Sequence, residues 1–253
     1  MLRGLYLTAT GMVAQQMRQE VISNNLANAS TAGFKAEIVP QRSFRELLLT
    51  RMEAGAPDTP VGFFTPGVLV DELVIDFSPG PLEETGRATD LALVDPPGST
   101  PAFFAVLVEG EVRYTRNGSF TLGSAGELQT HDGYLVLGED GPIVVGRESW
   151  HVDGRGGVWA DGTLVNRLLL VTFDEPHRLE RQEGVLFAAP PDLFPQAAAP
   201  EVKQGFLEKA NLNAVNEIVN MLAALRAYEA GQKVIQVQNE LLGKCVNEIG
   251  SLR

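Results

Sequence analysis

Residues 218–249 read IVNMLAALRAYEAGQKVIQVQNELLGKCVNEI, and the spacing of their apolar side chains decides how the chain is organised. Taken at alternating steps of three and four, the series is Ile218, Met221, Leu225, Tyr228, Gln232, Ile235, Asn239, Leu242, Val246 and Ile249. Eight of these ten positions are apolar or aromatic, and side chains at this spacing share one side of an α-helix. Such a helix runs on the order of 48 Å at 1.5 Å per residue. That is too long to bury its stripe against one small domain, so it needs partner helices. The first thirty residues supply a weaker stripe, Leu2, Leu5, Ala9, Met12, Val13, Met17 and Val21. A chain that pairs its two ends into an elongated apolar seam is organised for assembly rather than for catalysis.

The first helix is expected over about Leu2 to Leu26. Gly4 and Gly11 weaken it by about 1 kcal/mol each relative to Ala. It stops where Asn24, Asn25, Asn28, Ser30 and Thr31 compete for backbone hydrogen bonds and Gly33 can take a positive φ. An amphipathic stretch, Phe44 to Met52, and a Gly/Pro-rich connector, Ala54 to Gly67, follow. From Val68 the period becomes that of strands. Residues 103–108 (FFAVLV) form a continuous apolar run of strand length. Beyond it Gly110, Gly118, Gly126, Gly133 and Gly141 recur at intervals of eight, eight, seven and eight, with Asn117-Gly118 and Asp132-Gly133 as tight-turn signals. Further strands are expected at Trp150–Val152 and Leu164–Phe173, with turns at Asp153-Gly154 and Asp161-Gly162. Pro190, Pro191, Pro195 and Pro200 mark a second connector. Asn213 and Gly250 are suited to start and stop the last helix.

The fold class expected is therefore α+β. Terminal helices form a coiled-coil layer from residues 1–35 with 206–253, and residues 36–67 connect it to an inserted antiparallel β domain, a meander or small barrel, at 68–205.

Composition narrows the function. With 20 basic and 32 acidic residues the formal charge is −12, which disfavours nucleic acid as a partner because phosphate must be neutralised by Lys and Arg. Cys245 is the only cysteine, so neither an internal disulfide nor a cysteine metal cluster can form. Its place in the heptad region reads as a buried, inert thiol. There is no run of 18 apolar residues, hence no expected membrane insertion, and Thr8, Thr10, Gln15 and Gln16 break up the core of any Sec signal.

Catalytic, metal and cofactor sites are not expected. His131 and Asp132 are adjacent, so they face opposite sides of a strand, and Asp132-Gly133 is already a turn. His151 and His177 have no second ligand at metal spacing. Glu83-Glu84 reads as a solvated face. Gly154-Arg155-Gly156-Gly157 lacks the Lys-Ser/Thr and the helix of a phosphate loop. Asn28-Ala29-Ser30 fits a glycosylation sequon, although its role in the turn accounts for it.

Residues 23–35 (SNNLANASTAGFK) closely resemble the N-terminal signature of flagellar rod and hook proteins. Residues 85–93 (TGRATDLAL), 114–120 (YTRNGSF) and 126–134 resemble that family's central β domain. Residues 202–208 (VKQGFLE) and 226–230 (RAYEA) resemble its C-terminal signature. The resemblance implies a subunit of the bacterial flagellar basal body, exported by the flagellar type III apparatus without a Sec signal and stacked helically into the periplasm-spanning rod. Its partners would be other copies, paralogous axial proteins and the export apparatus, with no small-molecule substrate. The short connector before Val68 and residues 76–82 (DFSPGPL) look more like proximal-rod members or the shorter paralogues than the distal rod, whose connector is longer. One departure stands out: Val94 to Phe104 carries Pro96, Pro97 and Pro101 where the family usually has a compact Gly-x-Gly-Phe-Phe-like turn, so a surface loop is expected to be remodelled here.

On this reading the assembly residues are Leu5, Met12, Asn24, Asn25, Asn28, Gly33 and Phe34 from the first helix and its turn. Ile218, Met221, Leu225, Tyr228, Ile235 and Leu242 join them from the last helix. Phe34 would be an apolar anchor and Gly33 would allow the positive φ. A β-domain adhesin on a coiled-coil stalk shows the same change of period, but it would be a discrete soluble oligomer and would not need the matched blocks.

Overall fold

The computed structural model describes residues 2–43, 47–51, 59–64, 67–70, 72–146, 149–182 and 184–250. It is an α+β chain with one long helix near each end, α1 over Leu2–Ala27 and α2 over Ala214–Gly250, and antiparallel strands between them. Both helices span what the apolar periodicity predicts, and α2 begins directly after Asn213. Two compact units result. One comprises residues 1–26, 37–74 and 214–253, and the other residues 27–36 and 75–213. The turn after α1 thus groups with the β-rich unit rather than with the helices.

In the helical unit, side chains place α1 against α2. A Cβ on Gly4 would lie 2.7 Å from Nε2 of Gln238, and a Cβ on Gly231 would lie 2.7 Å from Cγ of Met12. Advancing along α1 therefore retreats along α2, so the helices run antiparallel. The covered stripe on α2 is Met221, Ala224, Tyr228, Gly231, Ile235, Gln238 and Leu242, with Ala224 only 2% exposed. Four of the ten expected stripe positions, Met221, Tyr228, Ile235 and Leu242, coincide with it. The alternate members do not: Ile218 is 47% and Leu225 39% exposed, one helical step around from the covered face. Cys245 is exposed, which corrects the expectation of a buried thiol. Gln238 already lies opposite Gly4, and Cys245 lies about two turns beyond that contact.

The stretch read as an amphipathic segment and connector holds strands at Leu47–Arg51 and Thr59–Phe64, paired antiparallel with a register shift between Leu49 and Thr50. Pro60, which has no N–H to donate, sits opposite Thr50 at that irregularity. Phe44, Met52 and residues 54–58 of the expected segments lie outside the described residues, as do the side chains of Leu2 and Ile249.

The β-rich unit is organised on the strand Ala102–Val108, the apolar run of the sequence. Glu111–Thr115 pairs along one edge, and Leu135–Gly138 and Leu170–Thr172 share the other. Both faces are covered, which is why the run does not alternate with polar residues. Ala102, Phe104 and Val106 enter one apolar cluster, with Leu91, Phe120, Leu128, Val136 and Ile143. Phe103 and Ala105 enter a second, with Tyr114, Phe173 and Phe187. Phe103 meets Phe77 edge-on at 5.4 Å and Phe187 at 5.8 Å between ring centroids, a geometry that aligns ring edges with ring faces.

Most glycine-marked turns fall where expected, between paired strands. Glu109 and Gly110, with φ of 51° and 90°, close a two-residue hairpin, and Asp161-Gly162 closes another. Asn117-Gly118 does not. The strand before it pairs with Ala102–Val108, and the one after it, Phe120–Leu122, pairs with Leu128–Thr130. Gly118 is there for closeness: a Cβ would fall 1.6 Å from the carbonyl oxygen of Leu91, and the Leu91 N–H donates to the Gly118 carbonyl at 3.0 Å. The expected strand Leu164–Phe173 is two strands, Thr163–Arg167 and Leu170–Thr172, in different sheets. At the change Leu168 donates to Gly156 and Leu169 to Leu137. The Pro-rich loop at 95–101 is bounded by the strands Leu91–Val94 and Ala102–Val108, and Asp95 closes it by accepting from the Ala102 N–H at 3.1 Å.

Candidate functional site

The segment after α1 is held in the β-rich unit by buried charges. Lys35 is 1% exposed and donates from Nζ to Oε1 of Glu208 at 2.7 Å and to the Ser78 carbonyl at 2.8 Å. Arg116, 2% exposed, donates from Nε to Oε2 of Glu208 at 2.9 Å. Its NH1 reaches Asp95 at 2.8 Å and the Ala102 carbonyl at 2.6 Å, and its NH2 the Leu93 carbonyl at 3.1 Å. Glu208 also accepts from the Gly80 N–H at 2.8 Å. Two cations thus face two carboxylates, and backbone groups take up remaining hydrogen-bonding capacity, the condition under which buried charge is tolerated.

The backbone around Lys35 is equally constrained. Gly33, at φ 67°, donates its N–H to the Glu208 carbonyl at 2.7 Å. A Cβ there would lie 2.4 Å from the carbonyl carbon of Arg116 and from the nitrogen of Asn117. Phe34 has no exposed surface, and the guanidinium of Arg181 sits 4.3 Å from its ring centroid while donating to the Lys35 carbonyl. Asn211 Oδ1 accepts from the Ala36 N–H at 2.8 Å, and its Nδ2 donates to the Asp76 carbonyl at 2.7 Å. The structure therefore places Gly33 and Phe34 inside the monomer's folded β-rich unit, not on a surface open to a neighbour. The resemblance could name the Asn-to-Lys turn, but no periodicity marks Arg116, Arg181, Glu208 or Asn211 as its receivers.

Burial acts to raise Glu208, but the charges of Arg116 and Lys35 outweigh it and hold the carboxyl below its ordinary 4.5. Burial lowers Lys35, with Glu208 opposing. A carboxylate depressed in the folded state stabilises that state fully above its unfolded pKa, and the contribution is lost as pH falls through the folded value. The melting temperature of the β-rich unit is accordingly expected to drop as pH falls below 4.5, and Glu208→Gln to flatten that part of the profile. Thermal melts across acid pH check this, and equal slopes for the two proteins would contradict it.

The asparagines divide. Asn25, 4% exposed, donates from Nδ2 to the Glu37 carbonyl at 2.8 Å and accepts at Oδ1 from the Glu37 N–H at 3.0 Å, imitating a β-bridge within the helical unit. Asn24 is exposed and reaches the Glu37 carboxylate at 3.2 Å. The Asn28 carbonyl accepts from the Thr31 N–H at 3.0 Å, forming the turn. Leu5, Met12, Met221, Tyr228, Ile235 and Leu242 are all partly buried, whereas Ile218 and Leu225 are exposed. With them on the surface of α2 are Val215, Val219 and Leu222, and towards its end Val234, Val237 and Leu241. On α1, Tyr6, Val13 and Met17 are exposed at helical spacing.

Among the described residues no group of His, Cys, Asp or Glu is arranged to hold a metal ion, and no helix is long and apolar enough to cross a membrane.

Comparison with known proteins places this architecture. The family described as flagella basal body rod protein matches residues 5–35. The flagellar hook protein FlgE/F/G D1 domain matches 100–164, and the flagellar basal body rod FlgEFG protein C-terminal region matches 203–249. The buried cluster draws Lys35, Arg116 and Glu208 from these three regions, one from each. A flagellar hook-basal body complex protein FlhO of Bacillus subtilis is 34% identical over 100% of both chains. A flagellar basal-body rod protein FlgG of Agrobacterium fabrum is 31% identical, covering 95% of this chain and 97% of its own. A flagellar basal-body rod protein FlgF of Caulobacter vibrioides is 28% identical over 98% of each. The chain belongs to the flagellar basal-body rod protein family, whose members are structural proteins and not enzymes.

Proposed function

We propose that this chain is a structural subunit of the flagellar basal-body rod that polymerises helically through its terminal helices after export by the flagellar type III apparatus. The observation that carries the reading is the outer face of α2. Val215, Ile218, Val219, Leu222 and Leu225 lie exposed on consecutive turns, and a contiguous apolar face of this kind marks an interaction surface. An open helical polymer needs two different patches meeting head to tail. The exposed Tyr6, Val13 and Met17 of α1 supply a second patch of different chemistry. In this reading the α1–α2 pair is the coiled-coil layer of the subunit, and Met12, Met221, Tyr228, Ile235 and Leu242 hold it together. Leu5, Asn24, Asn28, Ile218 and Leu225 serve contacts with other copies and with paralogous axial proteins, while Asn25, 4% exposed and bonded to Glu37, holds the turn within the subunit. The short connector supports a proximal-rod-like member.

Leu225→Asp tests the outer face. At 39% exposure the new carboxylate can reach water in the free monomer, so stability should change by no more than about 1 kcal/mol. Between packed helices it would be buried without a partner, at a cost of several kcal/mol. The variant is therefore expected to fold with an unchanged melting temperature yet fail to enter the rod and to support motility. Normal incorporation and swimming would remove the outer face of α2 from the interface.

A further inference from the structure

The covered face of α2 carries an unusual set of side chains at one repeating position. Ala224, Gly231 and Gln238 are seven residues apart and all turned toward α1, whereas the alternate position of the same stripe is Met221, Tyr228, Ile235 and Leu242. A seam built for stability alone would place Leu or Ile at both positions. Here small and large residues are matched across the two helices. Met12 of α1 lies over Gly231 of α2, its Cγ and Sδ 2.7 and 3.2 Å from where a Cβ would stand. Two turns away the relation is reversed, and the Gln238 amide of α2 lies over Gly4 of α1, with Nε2 2.7 Å from that glycine's Cβ position.

Gln238 brings a polar cost with it. Its Oε1 is buried and accepts no hydrogen bond. An unsatisfied buried amide oxygen destabilises a seam, so its presence is informative when it discriminates between arrangements. Apolar residues at a repeating position tolerate a slide of one heptad, whereas a large polar side chain needs a notch at one place only. Gly11, seven residues after Gly4, has nothing within 4 Å of its Cβ position, so a competing notch exists on the same helix. A slide that moved Gln238 from Gly4 to Gly11 would take Met12 off Gly231. Gln238 alone would find a notch at Gly4 or at Gly11, and the Met12–Gly231 pair excludes the second.

We propose that Gln238–Gly4 and Met12–Gly231 form a reciprocal large-to-small code that sets the antiparallel register of α1 on α2, with Gln238 as its positioning residue. This deepens the rod-subunit reading and rests on it only for its biological purpose: a subunit added to a helical lattice must present its outer patches at one fixed offset.

The test measures register directly, in the full-length soluble chain and without assembly. Spin labels are placed on the exposed positions Val13 and Leu222, as Val13→Cys and Leu222→Cys on a Cys245→Ser background, and pulsed electron resonance reports the distance between them. The otherwise unaltered chain is expected to give one narrow distance. Gln238→Leu, which keeps an apolar seam and removes the buried orphan, is expected to add a second population shifted by about 10 Å, the length of one heptad. The size-swapped pair Gly4→Gln with Gln238→Gly is expected to return a single distance, and far-UV circular dichroism verifies that its helices persist. A single unshifted distance in Gln238→Leu overturns the proposal, whatever the swapped pair does. Failure of rod assembly in a chain of unaltered register would count against the rod reading and not against the code.

Discussion

Glu208→Gln is expected to lower the melting temperature of the β-rich unit by on the order of 10 °C, a loss of about 3–5 kcal/mol. The neutral amide keeps the shape of the side chain but removes the charge that faces both Lys35 and Arg116, whose side chains are 0% and 1% exposed. Arg116 would keep Asp95, Lys35 would keep only the Ser78 carbonyl, and an amide N–H would be turned toward a donor. Glu83→Gln is the control. Glu83 meets Lys209 at 3.0 Å with both side chains more than half exposed, an arrangement worth at most about 1 kcal/mol. Adding Lys35→Met to Glu208→Gln should restore part of the loss, because it removes one uncompensated charge. Calorimetric melts of the four proteins at neutral pH decide the matter. If Glu208→Gln melts with Glu83→Gln, the cluster does not hold the unit together.

Gly33→Val is expected to be comparably damaging, at about 3 kcal/mol or more. Two causes add. A β-branched residue at φ 67° is strained wherever it occurs, and here the new Cβ would stand 2.4 Å from backbone atoms of Arg116 and Asn117, which cannot rotate away. Gly86→Val separates the causes, because Gly86 has a similar φ of 69° with nothing within 4 Å of its Cβ position. Chemical denaturation should show the Gly33 variant losing well over the Gly86 variant's stability, with assembly defects following from the monomer's instability. Equal losses would mean that the close approach to Arg116 is not maintained in solution. From the sequence, Gly33 and Phe34 read as assembly residues, which would make assembly, rather than the folded core, the first thing their loss affects. The structure reverses that order of effects.

The reversal shows where sequence legibility ends. Periodicity set both helices, and a continuous apolar run set the strand Ala102–Val108, because a 3.6-residue repeat and an apolar run of strand length are both local properties of the chain. Glycine punctuation located most of the hairpins for the same reason: a positive φ is needed within two residues of the turn. Asn117-Gly118 looks identical in sequence, yet its glycine serves a close approach to Leu91, a residue 27 positions earlier that no local signal announces. The stripe on α2 was legible as apolar, but Met221 and Leu225 differ only in which side of the helix α1 occupies, and that is decided by the packing of two segments distant in sequence. The joining of Lys35, Arg116 and Glu208 was not legible at all. Each has other charges close by in its own segment, Glu37 after Lys35, Arg113 before Arg116 and Lys209 after Glu208, and the low dielectric that makes the three partners exists only after three separate parts of the chain have folded around them.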